Sequence, residues 1–228
     1  MQAVILAAGL GTRLQPLTFH IPKPMIRIVG KNLIEHNIYK LPKEVDELIF
    51  VVNYLAEQII NHFGNEFEGR KIKYVKQKRL LGTGHALSLC KDLLDKKFLV
   101  MMADDIYSKE DIEKCLNHKR SILTKEVCGK FIGGRIKLDS LGKLENIVEG
   151  IHNKKKSLAN VGLYVLTNEF FKYDLVKLKD KKEYGLPQTL VQMAHYYPIE
   201  IEKASFWMQI NNLDSLKRVE KILKNRKI

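Results

Sequence analysis

The sequence predicts an α/β fold with a mixed, mostly parallel central sheet and helices on both of its faces. Short apolar runs of β character alternate along the chain with amphipathic segments of helical period, which is the pattern of parallel strands joined by helical crossovers. The 228 residues suffice for one large domain with a substantial core. No repeat, low-complexity block or domain boundary is visible, so residues 1–228 are predicted to form a single domain.

Each predicted strand is a short run rich in apolar or β-branched residues, and each predicted helix carries apolar residues at helical spacing. In chain order the strands are Gln2–Ala7, Glu47–Val52, Ile72–Val75, Phe98–Ala103, Phe131–Lys137, Leu144–Val148, Val161–Leu166 and Ile199–Glu202. The helices are Asn32–Lys40, Leu55–Phe63, Gly84–Leu94, Lys109–Lys119, Asn168–Tyr173, Leu186–His195 and Asn212–Lys224. Segments rich in lysine or glycine are predicted to be irregular: Asp139–Lys143, Ile151–Lys156 and Lys177–Gly185.

The composition is that of a soluble globular protein, with 45% hydrophobic and 29% charged residues. No stretch reaches the apolar length of a membrane span, and the N-terminus lacks the order of a signal peptide, so no membrane association is predicted. The three cysteines lack Cys-x-x-Cys spacing. They disfavour a disulfide framework or zinc site and favour a reducing cytoplasm.

The net charge of +13 raises the question of nucleic acid. The lysines are dispersed, and none of their clusters is interleaved with aromatic residues as a base-stacking surface requires. The excess is therefore interpreted as solvated surface that also attracts anionic small molecules, and no nucleic-acid partner is predicted. The RNA-binding alternative predicts strongly salt-dependent retention on RNA.

The loop after the first strand is the strongest functional signal. The strand is followed by Ala7-Ala8-Gly9-Leu10-Gly11-Thr12-Arg13-Leu14, and Pro22-Lys23-Pro24-Met25 comes eight residues later in the chain. Gly9 and Gly11 remove the Cβ atoms that would keep backbone N–H groups away from phosphate oxygens. Arg13 and Lys23 supply fixed positive charge, so the loop is predicted to hold a phosphate chain.

The spacing of this loop matches neither Gly-x-x-x-x-Gly-Lys-[Ser/Thr] nor the Gly-x-Gly-x-x-Gly dinucleotide motif. The string from Leu6 to Leu14, continued by Pro16-Leu17-Thr18 and Pro22 to Met25, resembles the signature of the sugar-1-phosphate nucleotidyltransferases. The resemblance spans nearly the whole chain. It implies a single Rossmann-like three-layer domain with a nucleotide-binding half, about residues 1–110, and a sugar-binding half, about residues 111–228. It also implies Arg13 and Lys23 as catalytic residues and the following nucleotide-binding residues: Leu6, Ala8, Gly9, Gly11 and Thr12.

A metal ligand is predicted where the strand Phe98–Ala103 ends in Asp104 and Asp105. Open α/β sheets place their ligands at this end of a strand, and nucleotidyl transfer needs a hard cation there. Because successive strand residues point in opposite directions, Asp104 is assigned as the Mg²⁺ ligand and Asp105 as a supporting or helix-capping group. The resembling enzymes carry Gly-Asp at this point, so Ala103 is a small departure.

The second metal ligand follows from the resemblance to the uridylyltransferase domain of N-acetylglucosamine-1-phosphate uridylyltransferases. There a Val-Asn-Asn sequence leads into the last helix, and its first asparagine is the ligand. The matching Ile210-Asn211-Asn212 implies Asn211 as ligand and Asn212 as helix N-cap. Gln209, at the offset of the aspartate in Trp-x-Asp-x-Gly-Thr relatives, is the alternative.

The string from Gln77 to Leu87 resembles the uracil-binding stretch of the same uridylyltransferases, including its Gly-Thr-Gly-His-Ala core. The resemblance assigns base recognition to Gln77, Gly82 and Thr83, and a glutamine amide suits the edge of a pyrimidine. His85 is interpreted as a residue at the start of a helix.

Three residues of the second half are predicted to bind the sugar. They occur along the chain in the order expected for the sugar pocket of the family that the sequence resembles, and they offer paired donors and acceptors for hydroxyl groups. These residues are Gly134, Glu149 and Asn160. Related enzymes often have a lysine after the glutamate that grips the sugar phosphate. Here Gly150 stands there, and one of Lys154–Lys156 is the candidate substitute.

The sequence therefore predicts an enzyme that makes a UDP-sugar from UTP and N-acetylglucosamine 1-phosphate or glucose 1-phosphate, with Mg²⁺ as cofactor and release of pyrophosphate. The alternatives are a glucose-1-phosphate thymidylyltransferase that uses dTTP, another member of the family, and a catalytically silent nucleotide-sugar-binding regulatory subunit. Bacterial relatives usually continue into a left-handed β-helix. Its absence here predicts no acetyl transfer and no trimerisation through that domain, and leaves the oligomeric state open.

Overall fold

The computed structural model describes residues 1–179 and 181–225. Its strands are β1 (Gln2–Leu6), β2 (Arg27–Ile28), β3 (Lys31–Asn32), β4 (Glu47–Val52), β5 (Glu66–Phe67), β6 (Arg70–Lys76), β7 (Lys97–Met102), β8 (Asp105–Tyr107), β9 (Ser121–Leu138), β10 (Leu144–Thr167), β11 (Glu200–Lys203) and β12 (Trp207–Gln209). Its α-helices are α1 (Leu33–Ile38), α2 (Ala56–Phe63), α3 (Gly82–Ser88), α4 (Lys109–Leu116), α5 (Leu186–Ala194) and α6 (Leu213–Asn225).

The central sheet has eight strands in the order β11-β9-β10-β7-β1-β4-β6-β5. The pairs β7–β1, β1–β4, β4–β6 and β11–β9 are parallel, whereas β10–β7, β10–β9 and β5–β6 are antiparallel. Strands from both halves of the chain thus share one sheet. The predicted α/β fold with a mixed, mostly parallel sheet is confirmed.

The core lies on both faces of this sheet, because alternate residues of β1 point to opposite sides. Ala3 and Ile5 join a cluster with apolar residues of α1, α2 and α4, whereas Val4 joins a cluster with residues of α3 and α5. A third cluster packs α6 onto the small β8–β12 sheet. The arrangement is three layers with the sheet in the middle.

One region predicted to be irregular is a strand. Ile151–Lys156 belongs to β10, and β9 and β10 form a long hairpin whose turn is the predicted loop Asp139–Lys143. The prediction was wrong because a lysine-rich composition is typical of a loop. Here the backbone is hydrogen-bonded to β9, while the lysine side chains are exposed to solvent. The hairpin curls back on itself, since Leu158 pairs with both Glu126 and Ile136.

Two helix predictions also need correction. The segment predicted as the helix Gly84–Leu94 starts earlier, at Gly82, and ends at Ser88, with a separate 3₁₀ turn at Lys91–Leu93. The segment predicted as the helix Asn168–Tyr173 is a 3₁₀ helix over Asn168–Lys172. These segments are short, and tertiary packing determines their geometry more than periodicity does.

The other sequence expectations concern cysteines and membranes. Cys90 and Cys115 are buried free thiols, and Cys128 is an exposed one. Burial raises the pKa of both buried thiols to about 12. In the part of the chain that the structure describes, none of the helices is both long and apolar enough to cross a membrane.

Candidate active site

A cavity of about 480 Å³ opens where β1 and β7 end, at the carboxyl edge of the parallel strands. It brings together every residue that the sequence assigns to catalysis, nucleotide or metal: Leu6, Ala8, Gly9, Gly11, Thr12, Arg13, Lys23, Gln77, Gly82, Thr83, Asp104 and Asn211. These residues come from five separate chain segments. Their assembly in one cavity is what a nucleotide site requires, although their individual roles stay predictions.

The loop after β1 is shaped by its glycines. Gly11 has a φ of 66°, and a Cβ there would lie 3.0 Å from Cβ of Lys23 and 3.1 Å from Cγ2 of Thr18. Thr18 donates from its hydroxyl to the carbonyl oxygen of Gly11 at 2.9 Å. Around Gly9, a Cβ would meet nothing within 4 Å. At Gly11 the loop is thus hydrogen-bonded to Thr18 and packed closely against Lys23, whereas at Gly9 it is open to a ligand.

Lys23 is buried, and its ammonium group pairs with Oδ2 of Asp104. The lysine stands in a 3₁₀ turn, Lys23–Met25, whereas Asp104 follows β7. The pair lies within the cavity. A divalent cation bound by Asp104 would compete with this ion pair, because both cations need the same carboxylate.

The two adjacent aspartates have different surroundings. Asp104 lines the cavity, whereas Asp105 begins β8, is 2% exposed and accepts a hydrogen bond from the indole N–H of Trp207 at 3.0 Å. Burial, together with the charge of Asp104, raises the pKa of Asp105 well above its usual value. Asp105 therefore links β8 to β12, and the carboxylate that lines the cavity is that of Asp104, which pairs with Lys23.

Asn211 lines the cavity and Gln209 does not. The Asn211 amide nitrogen donates to Oε1 of Gln209 at 2.5 Å, so Oδ1 of Asn211 is the group left for a cation. Oδ1 of Asn212 accepts from the backbone N–H of Ser215 at 2.9 Å. Asn212 therefore caps α6, as predicted, and holds Asn211 at the entrance to the helix.

The donor set fits Mg²⁺. The described residues contain no group of three or more His, Cys, Asp or Glu side chains placed to hold a metal. Mg²⁺ does not need one, because it binds through one or two protein oxygens and completes its shell with phosphate and water. One carboxylate oxygen of Asp104 and the amide oxygen of Asn211 meet that requirement beside the phosphate loop.

The start of α3 is held by a strap, residues 183–186. The backbone N–H of Tyr184 donates to the Leu81 carbonyl at 2.7 Å, and that of Gly84 donates to the Tyr184 carbonyl at 2.9 Å. The hydroxyl of Thr83 accepts from the backbone N–H of Leu186 at 3.1 Å. The Thr83 hydroxyl thus has a structural partner that sequence reasoning did not foresee, since 103 residues separate the two.

The strap explains the glycine at position 82. Gly82 has a φ of 90°, and a Cβ there would lie 2.5 Å from the Tyr184 carbonyl oxygen. We expect Gly82→Ala to lower the free energy of unfolding by about 3 kcal/mol, from positive φ plus the clash. Gly142→Ala is the matched control: its φ is 76°, but nothing lies within 4 Å, so about 1 kcal/mol is expected. Urea unfolding measures both, and equal losses would contradict the clash.

The predicted sugar residues form a cluster of their own outside the lining of the cavity. A Cβ at Gly134 would lie 2.8 Å from Oε1 of Glu149 and 3.4 Å from Cβ of Asn160. The amide nitrogen of Asn160 donates to the hydroxyl of Tyr164 at 2.7 Å. Because Leu163 of β10 pairs with Met101 of β7, Asn160 lies beyond the end of β7, toward Asp104.

Two features of this region were missed or unresolved by the sequence. Met102 lines the cavity, and its side chain fills the space that a side chain at Gly162 would need, with Cγ 2.5 Å from the Cβ position. The Gly162 in the Asn-Val-Gly string is the signal that could have indicated this close approach. Of the candidate lysines 154–156, Lys156 pairs with Glu126 at 3.2 Å on the hairpin, and none lines the cavity.

Comparisons with known proteins agree with this geometry. Residues 2–226 match the family model described as nucleotidyl transferase. The bifunctional protein GlmU of Methanocaldococcus jannaschii is 33% identical over 212 residues, which are 92% of this chain and 51% of that protein. The chain thus spans about half the length of this relative.

A second relative is covered over most of its length. The UTP–glucose-1-phosphate uridylyltransferase AglF of Haloferax volcanii is 31% identical over 201 residues, 83% of this chain and 82% of that protein. The crystal structure of a putative glucose-1-phosphate thymidylyltransferase from Bacillus anthracis superposes with a TM-score of 0.87 at 22% identity, covering 100% of this chain and 97% of that one. That likeness supports the fold. The family model and the two relatives show that the chain belongs to the sugar-1-phosphate nucleotidyltransferases.

Proposed function

We propose that this protein is a Mg²⁺-dependent uridylyltransferase that joins UTP and a sugar 1-phosphate into a UDP-sugar and releases pyrophosphate. The observation that carries the proposal is the single cavity in which the phosphate loop, Gln77 and the Asp104–Asn211 pair meet. The sugar cluster of Gly134, Glu149 and Asn160 adjoins the end of β7 beside it. The relative from Haloferax volcanii, whose name specifies UTP and glucose 1-phosphate, supports the choice of substrates.

The chemistry needs alignment more than proton transfer. An oxygen of the sugar phosphate forms a bond to the α-phosphorus of UTP while the bond to the β-phosphate bridging oxygen breaks in line with it. The nucleophile is already an anion, so no general base is required. The chain's contribution is to hold both phosphates at the attacking distance and to offset their charge.

The residues divide this work by position. The open backbone at Gly9 lets the triphosphate approach the loop, and Arg13 supplies charge at its edge. Lys23, when released from Asp104, would offset charge on the transferring group. Asp104 and Asn211 would hold Mg²⁺, which when bound supplies charge neutralisation for the departing pyrophosphate.

The sugar is proposed to be N-acetylglucosamine 1-phosphate or glucose 1-phosphate. Glu149 and Asn160 offer a carboxylate and an amide to ring hydroxyls, and these groups serve either sugar. One acetamide contact changes the preference by only about 1–3 kcal/mol. The free buried thiols of Cys90 and Cys115 accord with a cytoplasmic site of action.

The test is pyrophosphate release by the purified protein with Mg²⁺. UTP, dTTP, CTP, ATP and GTP are each combined with N-acetylglucosamine 1-phosphate and with glucose 1-phosphate. We expect the highest kcat/KM with UTP. A preference for dTTP would establish a thymidylyltransferase instead, since only the 5-methyl group and the 2′-hydroxyl differ. Binding of UDP-sugar in calorimetry without turnover of any triphosphate would indicate a silent regulatory subunit.

A further inference from the structure

Gln77 is a buried polar residue of the cavity wall whose backbone and side chain are both held by hydrogen bonds. It follows β6 and is 3% exposed. Its backbone N–H donates to the Val52 carbonyl at 2.9 Å, and its own carbonyl accepts from the amide nitrogen of Asn53 at 2.6 Å. The side chain therefore leaves a fixed backbone, and only its amide orientation remains to be set.

Two acceptors determine that orientation. The amide nitrogen of Gln77 lies 3.0 Å from the Gly82 carbonyl oxygen and 3.0 Å from Nδ1 of His85. A carbonyl oxygen can only accept, so the NH₂ group must face it. Both N–H bonds of the amide are then committed, and Nδ1 of His85 must carry a lone pair.

The state of His85 agrees with this assignment. Burial, and next the charge of Arg79, lowers the pKa of His85 below its usual value. The imidazole is therefore neutral at neutral pH, with its proton on Nε2. Within residues 1–179 and 181–225, no donor contacts Oε1 of Gln77, which leaves this oxygen as the group offered to a ligand in the cavity.

We propose that His85 is a specificity-determining positioning residue. By accepting a hydrogen bond from the amide nitrogen of Gln77, His85 leaves only the amide oxygen of Gln77 to face the nucleobase. The inference rests on the proposed nucleotide-binding function of the cavity. An acceptor pairs with a base edge that carries a ring N–H, such as N3–H of uracil or thymine. It opposes the ring lone pair of cytosine N3 or adenine N1, because two acceptors then face each other.

Loss of the His85 acceptor would free one amide N–H and loosen this selection. In His85→Leu the side chain keeps an apolar volume but offers no lone pair, so one N–H of the Gln77 amide loses its partner. Only the Gly82 carbonyl then still opposes a turn of the amide that would offer its NH₂ group to cytosine. In His85→Asn the shorter amide can place Oδ1 near the position of Nδ1. The first variant removes the interaction, and the second restores an acceptor.

Nucleotide binding is the direct measurement. Calorimetry with Mg²⁺ and each triphosphate gives the Kd for UTP and CTP in the wild type and both variants, with urea unfolding as the check on folding. We expect His85→Leu to bind UTP about tenfold more weakly than the wild type does. The preference for UTP over CTP, measured as the ratio of the two Kd values, should shrink at least tenfold in this variant, whereas His85→Asn keeps most of it. A stable His85→Leu protein with the wild-type ratio would overturn the proposal.

The test also separates this inference from the proposed function. Binding that prefers UTP or GTP over CTP and ATP, together with a ratio that depends on His85, supports the positioning role even when no pyrophosphate is released. Absence of any nucleotide binding overturns both. Should His85→Leu fail to fold, His85→Ala takes its place, because alanine also offers no lone pair to the Gln77 amide. A stable His85→Ala protein with the wild-type ratio of the two Kd values would overturn the proposal.

Discussion

Replacing Asp104 with asparagine is expected to lower turnover on the order of a hundredfold or more. The substitution keeps the size of the side chain and removes the charge that would hold Mg²⁺ at the end of β7. A bound metal lowers the free energy of the charged transition state by several kcal/mol, so its loss has a large effect on the rate. Pyrophosphate release at saturating UTP and sugar phosphate, measured across a range of Mg²⁺ concentrations, gives the size of the loss.

Asp104→Asn is also expected to lower the free energy of unfolding slightly. Asp104 is the partner of the buried Lys23 ammonium group, so a neutral side chain weakens that interaction. The asparagine oxygen can still accept from the ammonium group. We therefore expect about 1 kcal/mol of lost unfolding free energy, far less than the effect on turnover.

Asp105→Asn is the matched control, one residue along. Asp105 is buried on Trp207 and does not line the cavity. Its raised pKa means that a neutral amide is a close replacement. Turnover should fall by less than about tenfold. An inactive Asp105→Asn beside a normal Asp104→Asn would place the metal on the other carboxylate, and small equal effects would remove both from the metal site.

The parts of the site that could be predicted from the sequence lie next to the strands whose apolar pattern is strong. β1 and β7 are short, buried and followed at once by Gly9 to Arg13 and by Asp104, so strand position alone places these groups at one edge. Asn212 was predictable as a helix cap for the same local reason. Local order suffices where a strand end and its functional residue are adjacent.

The contacts between distant residues could not be predicted in this way. Lys23 and Asp104 are 81 residues apart, and the Thr83 hydroxyl meets Leu186 only because the strap crosses α3. Periodicity carries no information on such pairs. His85 is a different case: it stands eight residues from Gln77. Its position at the start of a helix suggested a structural residue, and only the geometry shows which atom faces Gln77.

The prediction for the curled hairpin was wrong because of its amino-acid composition. Ile151–Lys156 is predicted to be irregular because lysines dominate it, yet residues 151–154 pair with β9. Gly133 and Gly150 face each other there with φ values of 151° and 144°, which lets the ladder bend. A strand most of whose side chains are exposed has no apolar alternation to detect.

Replacing Lys23 with methionine is expected to have two effects of opposite sign. Methionine keeps much of the length and apolar stem of the lysine but removes the ammonium group. Turnover should fall on the order of a hundredfold or more, because a fixed charge at the transferring phosphates is lost. The affinity for Mg²⁺ in the absence of nucleotide should rise about tenfold, because Asp104 no longer pairs with a competing cation.

Trp207 provides the second measurement. It is the sole tryptophan of the chain, and its indole N–H donates to Asp105, the residue after Asp104. A Mg²⁺ titration followed by its fluorescence therefore reports on the metal without turnover. Lys217→Met, on the exposed surface of α6, is the control and should change neither quantity. If Lys23→Met binds Mg²⁺ no more tightly than the wild type, Lys23 and the metal do not share Asp104. The ion pair would then be a permanent part of the site, because nothing in the reaction would require it to open.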